Sequence, residues 1–471
     1  MKRRDFLKTC GLGAAAMAAP SVPTFAEVRN INATDATIIR KDPNSKVNVG
    51  FIGLGQQAIN LLRGFLTLPD VKVIAGCDIY DIKRDRFQKT VVDYYTEKGE
   101  KKVKCDMYVD FPDLLARKDI DAVVIATPDH QHARIAIAAA KAGKDIYLEK
   151  PLTLTIFEGQ QLVKAVRKYN VILQTGSMQR SSKEWDHLAM LCREGELGAI
   201  EKLQVYVGRN GYNGETGAPV PYNVELADKN SRIKDPNLLH NCPAGLDWDK
   251  WLGPLPTSVK YHHDFNPTLN EQGRDTCWGT WRWFTVSGGG LMTDWGAHMF
   301  DIAQWCIGKD GSAPTQIIPP GYRQYKCLTY KYDNGILMTE EDIDGKGAGL
   351  KVYAENAIIT VHRGSYLSDN PKFAFELPKR GPGQYETQAP HYRDFIDAVR
   401  AHVDPLVPVE TGHSSNTTCA LGNIAMELKR PITWNPIVEK IMGDAEAQSK
   451  LHYQYRSGYE HDLDVYSSQL L

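Results

Sequence analysis

Two α/β domains, a doubly wound parallel sheet followed by an α+β domain on a large, mainly antiparallel sheet, are what this chain predicts, and three observations carry the prediction. Short apolar runs at residues 47–52, 71–77, 122–126 and 145–148 alternate with stretches of helical apolar spacing at 59–66, 79–95 and 133–142. Strands that alternate with helices build parallel sheets. From about residue 203 to 360 the character changes to strand-like runs among Gly, Pro and aromatic residues, with few long helical periods. The 471 residues also exceed what one hydrophobic core usually supports.

Taken in order, the chain opens on Lys2, Arg3 and Arg4, then a weakly apolar stretch at 10–19, Pro20 and a small-residue cleavage site at Thr24-Phe25-Ala26. This is the pattern of a twin-arginine signal peptide over residues 1–26. The stretch is too short to span a bilayer, so the expectation is a periplasmic or otherwise exported protein handled by the twin-arginine machinery, with no stable membrane insertion. Residues 27–46 are polar and aperiodic, a linker. The first domain is expected over 47–175, finished by a helix at 156–168 and a strand at 171–174, and the second over 176–436, with strands at 202–207, 325–332 and 335–339. The extension 437–471 is polar and Tyr-bearing, and its structure is not readable.

Composition narrows the function classes. With 42% hydrophobic and 24% charged residues and a net charge of -1, nothing points to nucleic acid or an anionic membrane surface. Cysteines beyond Cys10 are scattered without C-x-x-C spacing, so neither a zinc site nor a disulfide framework is indicated. His262-His263-Asp264 could suggest a metal, but adjacent residues do not converge easily on one ion and the sequence places no third ligand. A polar loop and no metal are expected. His130 is expected at solvent or the mouth of a substrate site, and the cluster Trp278, Trp281, Trp283, Trp295 most simply in the core, with stacking of a Trp on a sugar face as the alternative.

The first run leads into Gly53-Leu54-Gly55-Gln56-Gln57-Ala58, a G-x-G-x-x-G/A string between a strand and a helix, and Asp78 stands at the end of the next strand, 20 residues beyond Ala58. That context marks a dinucleotide-binding Rossmann unit. Gly53 permits the tight turn, Gly55 lets backbone N–H groups approach a pyrophosphate with Gln56 and Gln57 beside it, and Ala58 allows close packing of helix on strand. Asp78 is expected on the adenosine ribose hydroxyls, where its charge opposes a 2′-phosphate. NAD is therefore expected over NADP.

Two more strings, Ala126-Thr127-Pro128-Asp129-His130-Gln131-His132 and Glu149-Lys150-Pro151, follow strands, and Ser287-Gly288-Gly289-Gly290-Leu291-Met292-Thr293-Asp294-Trp295-Gly296-Ala297-His298 lies in the second domain. With the glycine string they closely resemble the glucose-fructose oxidoreductase, inositol dehydrogenase and MocA family, in particular a bacterial branch whose members often carry a twin-arginine signal. The resemblance extends to Trp251-Leu252-Gly253-Pro254, Trp281-Arg282-Trp283-Phe284 and Glu410-Thr411-Gly412-His413. It implies that Lys150 sits beside the nicotinamide and the reacting hydroxyl, that His298 is the base and Asp294 its partner or a substrate ligand, that Thr127, Pro128 and His132 line the nicotinamide half, and that Glu149 lies near its ribose. Gln179 and Arg180 are further candidates for touching substrate. A homo-oligomer is expected by analogy alone.

The chemistry agrees with that assignment. Oxidising a secondary alcohol sends a hydride to the nicotinamide and a proton to a base, so the site needs a group titrating near neutrality and a cation for the developing alkoxide. Histidine and lysine are suitable. Asp294 and His298, four apart, would share a helix face, and a carboxylate there would raise the basicity of the imidazole. The leading expectation is an exported NAD-dependent oxidoreductase acting on a secondary hydroxyl of a sugar, glycoside or polyol, with a tightly held cofactor. The alternative is a glycosidase that uses bound NAD transiently; relatives of that kind often lack an intact E-K-P, which is present here.

Overall fold

The computed structural model describes residues 45–377 and 388–466. The expected signal peptide at 1–26 and the linker as far as residue 44 lie outside the described residues. The first sheet has six strands, β1 (Val47–Ile52), β2 (Val71–Cys77), β3 (Asp106–Tyr108), β4 (Ala122–Ile125), β5 (Asp145–Leu148) and β6 (Leu173–Thr175), all parallel and ordered β3-β2-β1-β4-β5-β6. β4 is buried at every position and β1 at all but one, which is why both read as continuous apolar runs. The strands alternate with α1 (Gln56–Leu66), α2 (Asp81–Glu97), α3 (Phe111–Leu115), α4 (Asp129–Lys141) and α5 (Ile156–Tyr169). The strand order reverses between β1 and β4, and at such a switch the loops beyond the strand ends part to leave a crevice.

The second sheet contains β7 (Ile200–Tyr206), β8 (Gln316–Ile318), β9 (Leu328–Lys331), β10 (Leu337–Glu340), β11 (Gly349–Ala354), β12 (Ile358–His362), β13 (Ser365–Ser368), β14 (Ile432–Asn435) and β15 (Lys440–Ile441), ordered β13-β12-β11-β7-β10-β9-β8-β14-β15. Only the β7/β10 pair is parallel. Alternate residues of these strands, Leu203 and Val205, Leu350 and Val352, Ile359 and Val361, enter one core with residues of α6 (Lys183–Arg193) and α8 (Gly296–Cys306). The short α7 (Leu291–Asp294) precedes α8, and α9 (Ala389–Ala401) and α10 (Val409–Leu428) follow the sheet's long hairpins.

α10 meets both halves of the molecule. It is buried over most of its length although it is rich in Ser, Thr, Gly and Asn. A Cβ on Gly412 would stand 2.2 Å from the Thr175 hydroxyl of β6, and one on Gly422 would stand 2.2 Å from the Tyr330 hydroxyl of β9. Close approach of this kind requires glycine. The residues after β15 return to the first domain, where Tyr455, Leu463 and Val465 are buried with apolar residues of α4 and α5. The Tyr455 hydroxyl donates to Glu158 (2.6 Å), Tyr169 donates to the Val465 carbonyl (2.8 Å), and Arg134 pairs with Asp462.

Arg180, expected at the substrate, is instead an internal strut. Its side chain is 1% exposed and bonds both oxygens of Asp301 in α8 (2.7 and 2.8 Å), with Asp310 as a second carboxylate (2.7 Å) and the Ser415 hydroxyl of α10 donating to Asp301 (2.8 Å). Removing one partner of a buried pair leaves the other charge uncompensated. Arg180→Met should therefore lower stability by about 3–5 kcal/mol in urea unfolding and leave nucleotide affinity unchanged; a loss below about 1 kcal/mol would contradict the strut.

Candidate active site

β1 ends at Gly53, whose φ of 80° is left-handed. A Cβ there would come 2.7 Å from the Thr127 side chain and 2.8 Å from its backbone nitrogen, so the turn accepts glycine alone. Gly55 caps α1, and Ala58 is fully buried, which lets the helix approach the sheet. Asp78, past the end of β2, accepts from the Leu54 N–H at 2.6 Å and the Tyr80 N–H at 2.9 Å. Burial pushes its pKa up, against the pull of Lys83 and those two N–H groups. Gly53, Gly55, Gln56, Gln57, Asp78, Thr127 and Pro128 all line one crevice. A glycine turn, the amide donors of a helix end and an accepting carboxylate at the end of the next strand form a set of groups that fits a nicotinamide dinucleotide.

Two of the expected cofactor residues act from behind. Ala58 contributes packing, and His132 lies buried with Nδ1 2.8 Å from the Pro151 carbonyl and Nε2 2.9 Å from the Thr127 carbonyl. The ring thus ties the Thr127 loop to the Lys150-Pro151 loop and does not face the crevice.

A second pocket shares Gln57, Ala126, Thr127, Trp278, Trp281 and Arg282 with the first and is completed by Asn60, Asp129, Glu149, Lys150, Met178, Asp294, Trp295, His298, Arg363 and Gln388. Lys150, just beyond β5, crosses to the second domain: its ammonium donates to Asp294 Oδ1 at 2.7 Å and to the Asp294 carbonyl at 2.9 Å. Arg282 Nε lies 3.6 Å from the same Oδ1. Burial works to raise the Asp294 pKa, but Lys150 and Arg282 win and hold it below the usual carboxylate range. Glu149 accepts from Gln57 Nε2 (2.8 Å) and from the Lys150 N–H (3.1 Å). Arg282 lies over the rings of Trp278 and Trp281, 4.3 and 4.2 Å from their centroids, and Arg363 lies over Trp295 at 4.4 Å.

The structure departs from several expectations. Asp294 and His298 are not on one unbroken helix, since α7 stops at Asp294 and α8 starts at Gly296. Among the described residues no hydrogen bond joins them, and His298 Nδ1 is buried without a partner. The imidazole is consequently not made more basic: burial first, then the Lys150 and Arg363 cations, push its pKa well below 6.5. Gln179 lines neither pocket; its Oε1 accepts from Arg363 Nε at 2.7 Å, so it reaches the site only through that arginine, and Arg180 is the strut described above. His130, expected near solvent, is fully buried with Nε2 2.8 Å from the Trp251 carbonyl, whereas Trp278, expected in the core, is 41% exposed and roofs both pockets.

The His263-Asp264 pair does gain a third neighbour, Cys277, with all three ligand-type atoms within 4.8 Å of one another. Thr268 N–H points at His263 Nε2 (3.4 Å), which leaves Nδ1 as the donor to Asp264 Oδ1 (3.1 Å), and the Cys277 thiol lies 3.8 Å from that oxygen. The trio reads as a buried carboxylate collecting donors at the stem of a loop.

Sequence reasoning missed Asp129, Arg282, Arg363, Asn60 and Gln388 as pocket residues. Asp129 and Arg282 stood inside strings already singled out for other members. Arg363 follows β12 at the turn into β13, where no spacing points inward.

Models of the oxidoreductase family match this chain twice, the NAD-binding Rossmann fold over residues 47–177 and the C-terminal alpha/beta domain over residues 233–461. The chain belongs to the glucose-fructose oxidoreductase, inositol dehydrogenase and MocA family of oxidoreductases. An inositol 2-dehydrogenase of Salmonella typhimurium (strain LT2) is 31% identical over 197 residues, 41% of this chain and 54% of that protein. A glycosyl hydrolase family 109 protein of Shewanella baltica (strain OS185) is 32% identical over 168 residues, 34% of this chain and 36% of that protein. The matches thus span about half of the first relative's length and about a third of the second's. Among solved structures, a levoglucosan dehydrogenase in complex with NADH superposes with a TM-score of 0.54 at 17% identity, over 83% of this chain and 99% of the other. Scyllo-inositol dehydrogenase from Lactobacillus casei with bound NAD(H) and scyllo-inositol gives 0.54 at 15% identity, over the same shares, 83% and 99%. At these identities the likeness is one of fold.

The nearest atom to a Cβ added at Gly55 would be Asp275 Oδ2, 3.7 Å away, so a side chain there fits the fold but projects into the crevice. Gly55→Val should retain a near-wild-type melting temperature and lose NAD binding by calorimetry. Undiminished binding would place the pyrophosphate elsewhere.

Proposed function

We propose that this protein transfers hydride between a nicotinamide cofactor and a secondary hydroxyl of a sugar, glycoside or polyol. One observation carries the reading: the Lys150 ammonium and the His298 imidazole line one pocket that shares a wall with the nucleotide crevice. The bound nicotinamide supplies the hydride acceptor for the carbinol C–H. Gly53, Gly55 and Gln56 would hold its phosphates, Asp78 a ribose, and Thr127 and Pro128 its nicotinamide half. As the hydride leaves, the hydroxyl proton passes to neutral His298, while Lys150, fixed by the carboxylate and carbonyl of Asp294, stabilises the developing alkoxide. Asp294 is thereby a positioning residue for Lys150. The aromatic walls of Trp278, Trp281 and Trp295 suit the apolar face of a sugar ring. Names of relatives support the substrate class, since those matched include inositol 2-dehydrogenases. Arg3, Arg4 and Ala26 support export by the twin-arginine route.

A second reading, hydrolysis by transient oxidation and elimination, is favoured by Asp129. This residue, 5% exposed, lines the same pocket, and burial pushes its pKa well above 3.8 despite the Arg282 and Lys150 cations. A carboxyl kept protonated could donate to a leaving glycosidic oxygen. Supplying glycosides to the NAD-loaded protein separates the readings: net formation of NADH supports the dehydrogenase, and hydrolysis without net redox change supports the glycosidase.

His298 accepts a proton only when neutral, and its depressed pKa extends that form to lower pH. kcat/KM for oxidation should therefore stay level through pH 6.5 and fall only below it, and His298→Ala should lose roughly a hundred- to ten-thousand-fold in rate while still binding NAD. An acid limb at or above pH 6.5 would contradict the depressed pKa, and near-normal turnover in the variant would remove His298 as the base.

NAD preference rests on Asp78, because a 2′-phosphate beside this carboxylate would bring like charges together in a partly desolvated crevice. Arg84 Nη1 donates to the Asp78 carbonyl at 2.6 Å, and Lys83 Nζ is turned away from Asp78 to Asn266 (2.6 Å) and Asp275 (3.4 Å). Asp78→Ser should narrow the ratio of NAD to NADP affinities measured at fixed salt. Tighter NADP than NAD binding by wild type would overturn the preference.

A further inference from the structure

A hairpin from the second domain reaches over the glycine turn. Its strands pair through Thr276 N–H to the Thr268 carbonyl (3.0 Å) and Asn270 N–H to the Arg274 carbonyl (2.8 Å), and it delivers Asp275, whose side chain is 7% exposed. Asp275 Oδ2 accepts from the backbone N–H of Gln56, the first residue of α1, at 3.3 Å, and the Asp275 N–H donates to Gln56 Oε1 at 3.3 Å. Two cations of α2 close the arrangement. Arg86 donates to Asp275 Oδ1 at 2.7 Å and to the Gly273 carbonyl at 3.0 Å, and Lys83 Nζ stands 3.4 Å from Oδ2.

The amide end of the first helix is where a Rossmann crevice receives the pyrophosphate of its dinucleotide. Asp275 holds that same end with the contacts a phosphate would make there: it takes an amide hydrogen, and it pairs with an arginine and a lysine. Two anions about 4 Å apart in a partly desolvated crevice repel strongly, so carboxylate and pyrophosphate exclude each other there.

We propose that Asp275 is an intramolecular competitor of the cofactor pyrophosphate: nucleotide enters by displacing this carboxylate, and Lys83 and Arg86 turn from Asp275 to the phosphates. The inference rests on the reading of the crevice as a nicotinamide dinucleotide site. The moving part is the hairpin tip, because its stem is closed by the Thr280 N–H donating to the Asp264 carbonyl (2.7 Å) and by the Cys277 thiol against Asp264 Oδ1 (3.8 Å). Both cations keep an anionic partner before and after the exchange, so the displacement strands no buried charge. Its cost falls on nucleotide affinity, and the retention of cofactor between turnovers is then set by a residue of the second domain.

The test is calorimetric titration of nucleotide-stripped wild type, Asp275→Asn and Asp275→Ala with NAD, ADP-ribose and adenosine, with melting temperatures to confirm folding. NAD and ADP-ribose should bind both variants about tenfold tighter or more, and adenosine, which has no phosphate, should bind all three proteins alike. Equal or weaker NAD binding in both variants, or an equal gain for adenosine, overturns the competition and leaves the cofactor reading intact. Failure of wild type and both variants to bind NAD or ADP-ribose overturns the two together.

Discussion

A site built between a parallel sheet and an antiparallel one needs a rigid joint, and here the joint is backbone-close packing around α10. Its glycines let Thr175 of β6 and Tyr330 of β9 approach the same helix, and its polar side chains are spent on neighbours: Asn416 donates to Thr153, Ser415 to Asp301, and Asn423 to the Gly289 carbonyl ahead of α7. Close-packed interiors have no slack for translation. The distance between Lys150 on one side and Asp294 on the other is therefore fixed by residues that touch neither.

Within that frame the electrostatics of the pocket follow from burial and pairing. Three acids share the cavity and meet different fates. Asp294 is held ionised by Lys150 and Arg282, whereas burial outweighs the neighbouring cations at Asp129 and Glu149. His298 has cations in range and no carboxylate bonded to it, so it stays neutral. Groups pushed apart in this way can hold and release protons in sequence at one pH.

What could be read from the chain was what local pattern encodes. The apolar runs of β1, β2, β4 and β5 and the glycine string are continuous in sequence, and their strand order places Asp78 and the glycine turn at one crevice. The short strands β14 and β15, two to four residues each, carry no period long enough to see, and the N-terminal half of α10 hides its burial behind Ser, Thr, His and Asn, whereas its apolar core residues Cys419, Leu421, Ile424 and Ala425 cluster in the C-terminal half. Spacing also misled at Asp294 and His298: four residues apart suggests one helix face, but the helix is interrupted at Trp295 and the carboxylate turns to Lys150. Arg363 and Asp275 come to the nucleotide domain from hairpins of the second domain, and contacts of that range leave no trace in a single sequence.

The return of residues 455–465 to the first domain has a consequence for biosynthesis. Tyr455, Leu463 and Val465 complete the core of the first domain, and Tyr459 forms part of the crevice wall. A nascent chain emerges from its N-terminus onward, and domains commonly fold in that order. Here the nucleotide-binding half, although made first, cannot complete the burial of α4 and α5 until residues 455–465 have been translated, so a truncated chain that stops after β15 would expose part of that apolar surface to chaperones and proteases.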